Sequence, residues 1–162
     1  MDYSFAFAKR SDTPEILRLY RSLIGTQGCT WHTDYPNREI TEADIDAEAL
    51  YVVLDKKYKI IAVATACKDI ELDGLACWQT KNPCDLARFG VLTEKQNQGI
   101  GSFLLRKVIS TVRRTGFDGM RMLVSKDNQI ARRLYQQQGF ERIGEVFVYG
   151  SDYDCLELMI RK

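Results

Sequence analysis

The segment that most constrains the fold is a strand that enters a polar turn and continues into a long amphipathic helix. Residues 86–91 are predicted as the strand and 99–115 as the helix, because apolar residues recur at helical spacing from Ile100 to Val112. Gly99 and Gly101 stand at the start of this helix. A helix N-terminus carries unpaired N–H groups and a partial positive charge, and glycine lets an anion approach the backbone. The segment therefore predicts either a phosphate-binding turn or a site of tight packing.

Two common nucleotide-binding patterns are missing from this segment. Its spacing is Gln96-x-x-Gly99-x-Gly101, whereas dinucleotide-binding segments have G-x-G-x-x-G. The Gly-Lys-Ser/Thr ending of a P-loop is missing as well. These differences argue against an NTPase and against a dehydrogenase.

The rest of the chain predicts strands and helices that build one mixed sheet. Asp12 with Glu15, and Thr41 with Asp44, resemble capping boxes that begin the first two helices, which end near Gly25 and residue 49. Further elements are strands over 3–8, 50–54, 60–66, 120–124, 140–148 and 153–160, and a helix over 128–138. The order β-α-α-β-β-β-α-β-α-β-β is that of an α/β domain.

Composition bounds the class of protein. The 162 residues predict a single domain over 1–162, and the net charge of +1 gives no support for a general nucleic-acid or membrane-surface binder. No apolar run approaches the ~20 residues of a membrane span, and the first residues lack the pattern of a signal peptide. Five cysteines without a C-x-x-C pair favour free thiols, a cytoplasmic protein and no metal site.

Two motifs resemble those of a known family. Gln96-x-x-Gly99-x-Gly101 resembles the Q/R-x-x-G-x-G/A acetyl-CoA motif of the GNAT superfamily of N-acetyltransferases. The segment 128–140 resembles the family's N-x-x-A-x-x-L-Y-x-x-x-G-F pattern. The resemblance implies a mixed, mostly antiparallel central sheet, flanked by helices, with splayed fourth and fifth strands. It also implies acetyl-CoA as cosubstrate and direct attack by a primary amine in a ternary complex.

The resemblance also implies residue roles. Pantetheine would pair with the backbone of the fourth strand, at Phe89, Gly90 and Val91. Pyrophosphate would bind backbone amides of the turn and helix start, at Gln96, Asn97, Gln98, Gly99, Ile100, Gly101 and Ser102. Asn128 caps a helix and would also contact the pantetheine arm. Tyr135 would protonate the departing CoA thiolate; its position alone, without the resemblance, favours simple packing of its ring.

The remaining polar candidates are less specific. Asp85 is predicted as the general base, with Glu71, Asp73 or a chain of water molecules as alternatives. His32 is read as a surface or packing residue, while Trp31 and Tyr35 could wall an acceptor pocket or anchor a long loop. Arginines 113, 114, 132 and 133 are either solvated or contacts for the CoA 3′-phosphate.

Three alternatives stay open at this point. The first is a non-catalytic acyl-CoA-binding sensor of the same fold, and the second is an acetyltransferase directed at protein or tRNA. The third is an unrelated α/β domain whose glycines only pack. The expected partner is a small-molecule or peptide amine, not a nucleic acid or a membrane. A homodimer that pairs the closing strands is a further open alternative.

Overall fold

The computed structural model describes residues 2–76 and 78–160, and Cys77 lies outside this part. In the described residues, the strands are β1 (Tyr3–Phe7), β2 (Leu50–Asp55), β3 (Ile60–Cys67), β4 (Pro83–Val91), β5 (Gly119–Ser125), β6 (Glu141–Val148) and β7 (Ser151–Met159). The helices are α1 (Thr13–Leu23), α2 (Arg38–Asp46), α3 (Ile100–Val112) and α4 (Gln129–Gln137). The predicted order of elements is therefore confirmed.

All seven strands form one sheet, in the order β1-β2-β3-β4-β5-β7-β6. β4 and β5 pair in parallel, and every other neighbouring pair is antiparallel. The mixed, mostly antiparallel sheet is confirmed. β7 lies between β5 and β6, so β6 forms one edge of the sheet and β1 the other.

Helices cover both faces of the central strands. β2 and β3 are almost continuously buried, which is typical of strands with apolar layers on both sides. α1 packs beside Gly90 of β4 through Leu19 and Leu23, whereas α3 packs beside Val91 through Gly101. Because successive side chains point to opposite faces, α1 and α3 lie on opposite faces of the sheet.

The fourth and fifth strands separate as predicted. They pair only where Pro83–Asp85 faces Gly119–Arg121, and no pairing between them continues beyond Asp85 in the described residues. On its other side, β4 carries a bulge, since Val63 faces Gly90 but Thr65 faces Ala87. The V-shaped gap between β4 and β5 positions the candidate site.

The predicted start of the second helix is wrong. α2 begins at Arg38, and its N-cap is Asn37, whose Oδ1 accepts a hydrogen bond from the Ile40 N–H at 2.9 Å. Thr41 lies inside the helix, where its hydroxyl donates to the Asn37 carbonyl, and Asp44 binds a guanidinium from β4. The helix also ends earlier than predicted, at Asp46.

Two further predictions, a capping box and a strand boundary, are corrected. Asp12 makes no side-chain cap for α1, because its carboxylate accepts the Lys9 N–H and Glu15 accepts the Ile60 N–H of β3 at 2.7 Å. β4 begins at Pro83 rather than Leu86, because residues 83–85 pair with β5. Proline is tolerated as the first residue of a strand.

Candidate functional site

A groove of about 510 Å³ opens where β4 and β5 separate. Its walls come from β4, the turn before α3, β5, α4 and the loop between α1 and α2. This volume lies in the range of ~300–1,000 Å³ that is common for small-molecule and cofactor sites. In the described residues, no group of three or more His, Cys, Asp or Glu side chains could hold a metal ion.

The turn at one end of the groove can bind an anion. Asn97 and Gly99 adopt positive φ values of 62° and 82°, which curl the chain into the first turn of α3. No side chain caps this helix, and its first turn contains no acidic residue. Gln96 faces inward and donates from Nε2 to the Val91 carbonyl at 3.1 Å. The N–H groups of the first turn are therefore left for a ligand.

Gly101 stands where α3 packs closely against its neighbours. A β-carbon added there would lie 3.3 Å from Leu134 of α4 and 3.7 Å from Val91 of β4. Gly99, in contrast, has open space around it and is required by its positive φ. Of the two alternatives predicted for the glycines, close packing is thus seen at Gly101, and phosphate binding stays a prediction.

Tyr135 of α4 brings a hydroxyl to the groove. Tyr135 is 4% exposed. Its ring lies edge-on to the rings of Phe89 and Phe140, with centroid distances of 5.8 and 6.0 Å. No described residue forms a hydrogen bond with the hydroxyl. Burial raises the pKa of Tyr135 above its usual value, so the phenol keeps its proton at neutral pH.

Asn128 begins α4 and also lines the groove. Its Oδ1 accepts the Ala131 N–H at 3.1 Å, so the predicted cap is present. Gly28, in the loop between α1 and α2, lies directly against it. Asn128 therefore joins α4, the groove and this loop.

Most of the predicted cofactor residues come together in the groove. Those that line it are Phe89, Gly90, Val91, Gln96, Asn97, Gly99, Gly101, Ser102, Asn128 and Tyr135. Gln98 and Ile100 are not part of the lining: Gln98 donates to the Glu94 carbonyl, and Ile100 is 2% exposed in the core. Arg133 lines the groove, whereas Arg132 pairs with Asp154 at 2.9 Å.

Asp85, the predicted base, lies where β4 and β5 are still paired. The residue is 1% exposed and does not line the groove. Its carboxylate accepts a hydrogen bond from Arg121 Nε, and its second oxygen accepts the Asp69 N–H at 2.6 Å. Burial raises the pKa of Asp85, and the Arg121 guanidinium opposes that rise.

The alternative carboxylates are paired too. Asp73 accepts hydrogen bonds from Arg121 and Lys68, which lower its pKa. Glu71 accepts a hydrogen bond from the Tyr149 hydroxyl at 2.7 Å, and this contact raises the pKa of Tyr149 to about 12. Neither carboxylate lines the groove.

Sequence reasoning missed a largely buried ion pair beside the groove. Arg88 of β4 donates two hydrogen bonds, of 2.8 and 3.1 Å, to the Asp44 carboxylate of α2. A third nitrogen of the same guanidinium donates to the Tyr35 hydroxyl. Arg88 also has a φ of +50°, which marks the bulge in β4. The one sequence signal for this ion pair is that Arg88, a charged residue, lies within an apolar strand. His32, by contrast, is exposed.

Comparison with known proteins identifies the family. The model of the acetyltransferase (GNAT) family matches residues 16–140. The chain belongs to the GNAT family of acetyltransferases. It is therefore an acyltransferase enzyme whose acetyl donor is acetyl-CoA. Comparison with curated protein sequences gives no match.

Solved structures of GNAT proteins share the fold at low identity. The chain is similar to yncA from Salmonella typhimurium, solved with its cofactor acetyl-CoA, with 18% identity, a TM-score of 0.80 and coverage of 100% of this chain and 96% of that one. A phosphinothricin acetyltransferase from Sinorhizobium meliloti, in complex with acetyl-CoA, has 18% identity, a TM-score of 0.78 and coverage of 99% and 90%. The ribosomal-protein-S18-alanine N-acetyltransferase from Escherichia coli has 16% identity and a TM-score of 0.76. The match covers 99% of this chain and 95% of that one. At these identities the likeness is one of fold.

Proposed function

We propose that the chain, as one domain over 1–162, transfers the acetyl group of acetyl-CoA to a primary amine by direct attack in a ternary complex. The observation that carries this proposal is the groove itself. It has an uncapped helix N-terminus at one end and the buried, protonated hydroxyl of Tyr135 in its wall. A donor with a phosphate end and a thioester end requires these two features.

The donor would lie along β4. The strand has no partner on the β5 side after Asp85, so pantetheine can pair there with the backbone of Phe89, Gly90 and Val91. Pyrophosphate would then reach the amides at the start of α3, in the turn that runs from Gln96 to Ser102. Asn128 on the facing helix would contact the pantetheine arm.

The chemistry needs an acid for the leaving group. The amine nitrogen forms a bond to the thioester carbon, negative charge develops on the carbonyl oxygen, and the carbon–sulfur bond then breaks. Tyr135 would give its proton to the departing thiolate, because its raised pKa keeps the phenol protonated. Holding amine and thioester together in the groove would supply much of the rate.

The proton that leaves the amine needs an acceptor. Asp85 was predicted for this role, but its carboxylate faces Arg121 and lies outside the groove lining. Glu71 and Asp73 also lie outside the lining. We therefore favour the other predicted route, in which water molecules in the groove carry the proton to solvent, with Asp85 fixing Arg121.

The first test is isothermal titration calorimetry with acetyl-CoA and with CoA at fixed salt. We expect micromolar dissociation constants for both. Dissociation constants in the millimolar range or weaker would refute the proposed donor site. Given binding, a screen of primary amines that follows release of the CoA thiol would test the transfer itself.

The free thiols support a proposal about the cellular location of the protein. In the described residues, Cys29, Cys67, Cys84 and Cys155 are all free, which supports the cytoplasmic location expected from the sequence. No helix in the same residues is long and apolar enough to cross a membrane. Of the two closing strands, only β6 lies at an edge of the sheet, so a homodimer that pairs the closing strands would use β6.

A further inference from the structure

A short piece of the α1–α2 loop crosses the gap between β4 and β5. We call residues Gly28–Trp31 the strap. At its β4 end, the Trp31 ring lies against Gly90, where an added β-carbon would be 3.2 Å from the ring. The same ring packs edge-on to Tyr20 of α1, with centroids 5.2 Å apart. The strap therefore begins its crossing firmly attached to the β4 side.

The other end of the strap rests on α4 and β7. A β-carbon added to Gly28 would lie 2.5 Å from the Asn128 Cβ, so the two backbones are in direct contact. Beside it, the Tyr153 hydroxyl and the Thr30 hydroxyl are 3.4 Å apart. Because only three Cα–Cα steps of about 3.8 Å separate Gly28 from Trp31, the crossing spans at most about 11 Å. The gap is thus bridged on the face that carries α1.

The loop beyond the strap is anchored as well. Tyr35 accepts a hydrogen bond from Arg88 at 3.1 Å, and Arg88 is held by Asp44 of α2. The Arg88 and Asp44 side chains are only 15% and 10% exposed, which makes this pair hard to separate. Loop movement that would lift the strap must therefore break the hydrogen bond between Tyr35 and a guanidinium that the buried Asp44 holds in place.

The strap also divides the space that remains for an acceptor. A second cavity of about 570 Å³ shares Gly28, Cys29, Thr30 and Ser125 with the groove. Its other walls come from the turn between β5 and α4 and from the β6–β7 turn with its flanking residues, including Phe147 and Asp152. Both spaces have the size of small-molecule pockets. An extended peptide beside β4 or β5 would have to pass the strap, whose residues line both spaces.

We propose that the strap limits the acceptor to a small free amine and excludes the extended end of a peptide or protein. This inference rests on the proposed acetyl transfer, because it concerns the acceptor side of the same groove. It selects between the two acceptor classes that the sequence left open.

The test uses CoA whose sulfur carries an acetamide group, so that donor and acceptor parts are joined. One probe ends in an N-methyl amide, and the other ends in a neutral Gly-Ser hexapeptide. Calorimetry gives the affinity of each probe and of CoA. We expect the hexapeptide probe to bind at least tenfold more weakly than the methyl probe. A smaller difference would overturn the inference, whereas failure to bind CoA would refute the donor site itself.

Two glycines of the same loop provide matched variants. Gly25 and Gly28 have φ values of +85° and +80°, so alanine is strained equally at both, but a β-carbon meets nothing within 4 Å at Gly25. Gly28→Ala must push the strap away from Asn128. We call the ratio of the methyl-probe affinity to the hexapeptide-probe affinity the penalty, and we expect it to fall at least threefold in this variant. Gly25→Ala should keep the full penalty.

Each penalty is the ratio of the two probe affinities in the same protein, so a general loss of CoA affinity cancels. If Gly28→Ala does not fold, Trp31→Ala loosens the opposite end of the strap and should give the same fall. Equal penalties in the strap variants and in Gly25→Ala would overturn the assignment of size selection to the strap.

Discussion

Replacing Tyr135 by phenylalanine removes one oxygen atom and keeps the packing around it. The ring contacts to Phe89 and Phe140 are made by carbon atoms that the variant retains. The hydroxyl has no hydrogen-bond partner in the described residues, so the substitution breaks no such bond inside the protein. A lost hydrogen bond typically costs about 1 kcal/mol, and we therefore expect Tyr135→Phe to change the unfolding free energy by less than this.

The effect on catalysis should be much larger. General acid catalysis contributes about 10²–10⁴-fold, which corresponds to ~3–5 kcal/mol at 1.36 kcal/mol per tenfold. We expect kcat to fall at least a hundredfold and the KM for acetyl-CoA to change less than threefold. Because the pKa of Tyr135 is raised, its ionisation should not lower the wild-type kcat between pH 8 and 10.

The assay follows the CoA thiol released with an acceptor amine from the screen, over a range of pH. Tyr20→Phe is the control, because Tyr20 is also a buried tyrosine, 1% exposed, but lies on α1. It should keep wild-type kcat. If folded Tyr135→Phe binds acetyl-CoA and turns over within threefold of wild type, Tyr135 is not the acid and the leaving thiolate is protonated by another group.

Three other substitutions test the groups around the groove. Arg88→Ala should lower the unfolding free energy in urea by about 3–5 kcal/mol, because it leaves the Asp44 carboxylate buried and unpaired; a loss below 1 kcal/mol would contradict this. Asp85→Asn should reduce stability but leave the shape of the pH–rate profile unchanged, and loss of the limb at low pH would restore Asp85 as the base. Arg121 lowers the pKa of Asp73, so this stabilisation is present above the usual carboxyl pKa and is lost as pH falls through the lowered value. Asp73→Asn should therefore flatten the decline in stability below about pH 4, which urea titrations at several pH values would show.

The elements with strong periodicity were predictable because their signals are local. The apolar stripe of α3 and the buried runs of β2 and β3 appear close to their predicted positions. The two capping-box predictions failed for a physical reason. Glu15 and Asp44 have the spacing of capping residues, but each carboxylate is taken by a partner from the sheet, the Ile60 N–H and the Arg88 guanidinium. Short-range spacing cannot report such a long-range partner.

The same distinction separates the two halves of the site. The proposed donor half is built by a continuous segment: the positive φ values of Asn97 and Gly99 and the first turn of α3 are local, so a short motif indicates them. The proposed acceptor half depends on contacts between distant positions, such as Arg88 with Asp44, 44 residues apart, and Gly28 with Asn128. No spacing rule marks Gly28, because its need for glycine arises only once α4 lies against the loop. A family defined by its donor motif can therefore vary its acceptors through such contacts, and acceptor choice must be tested at the strap rather than at the motif.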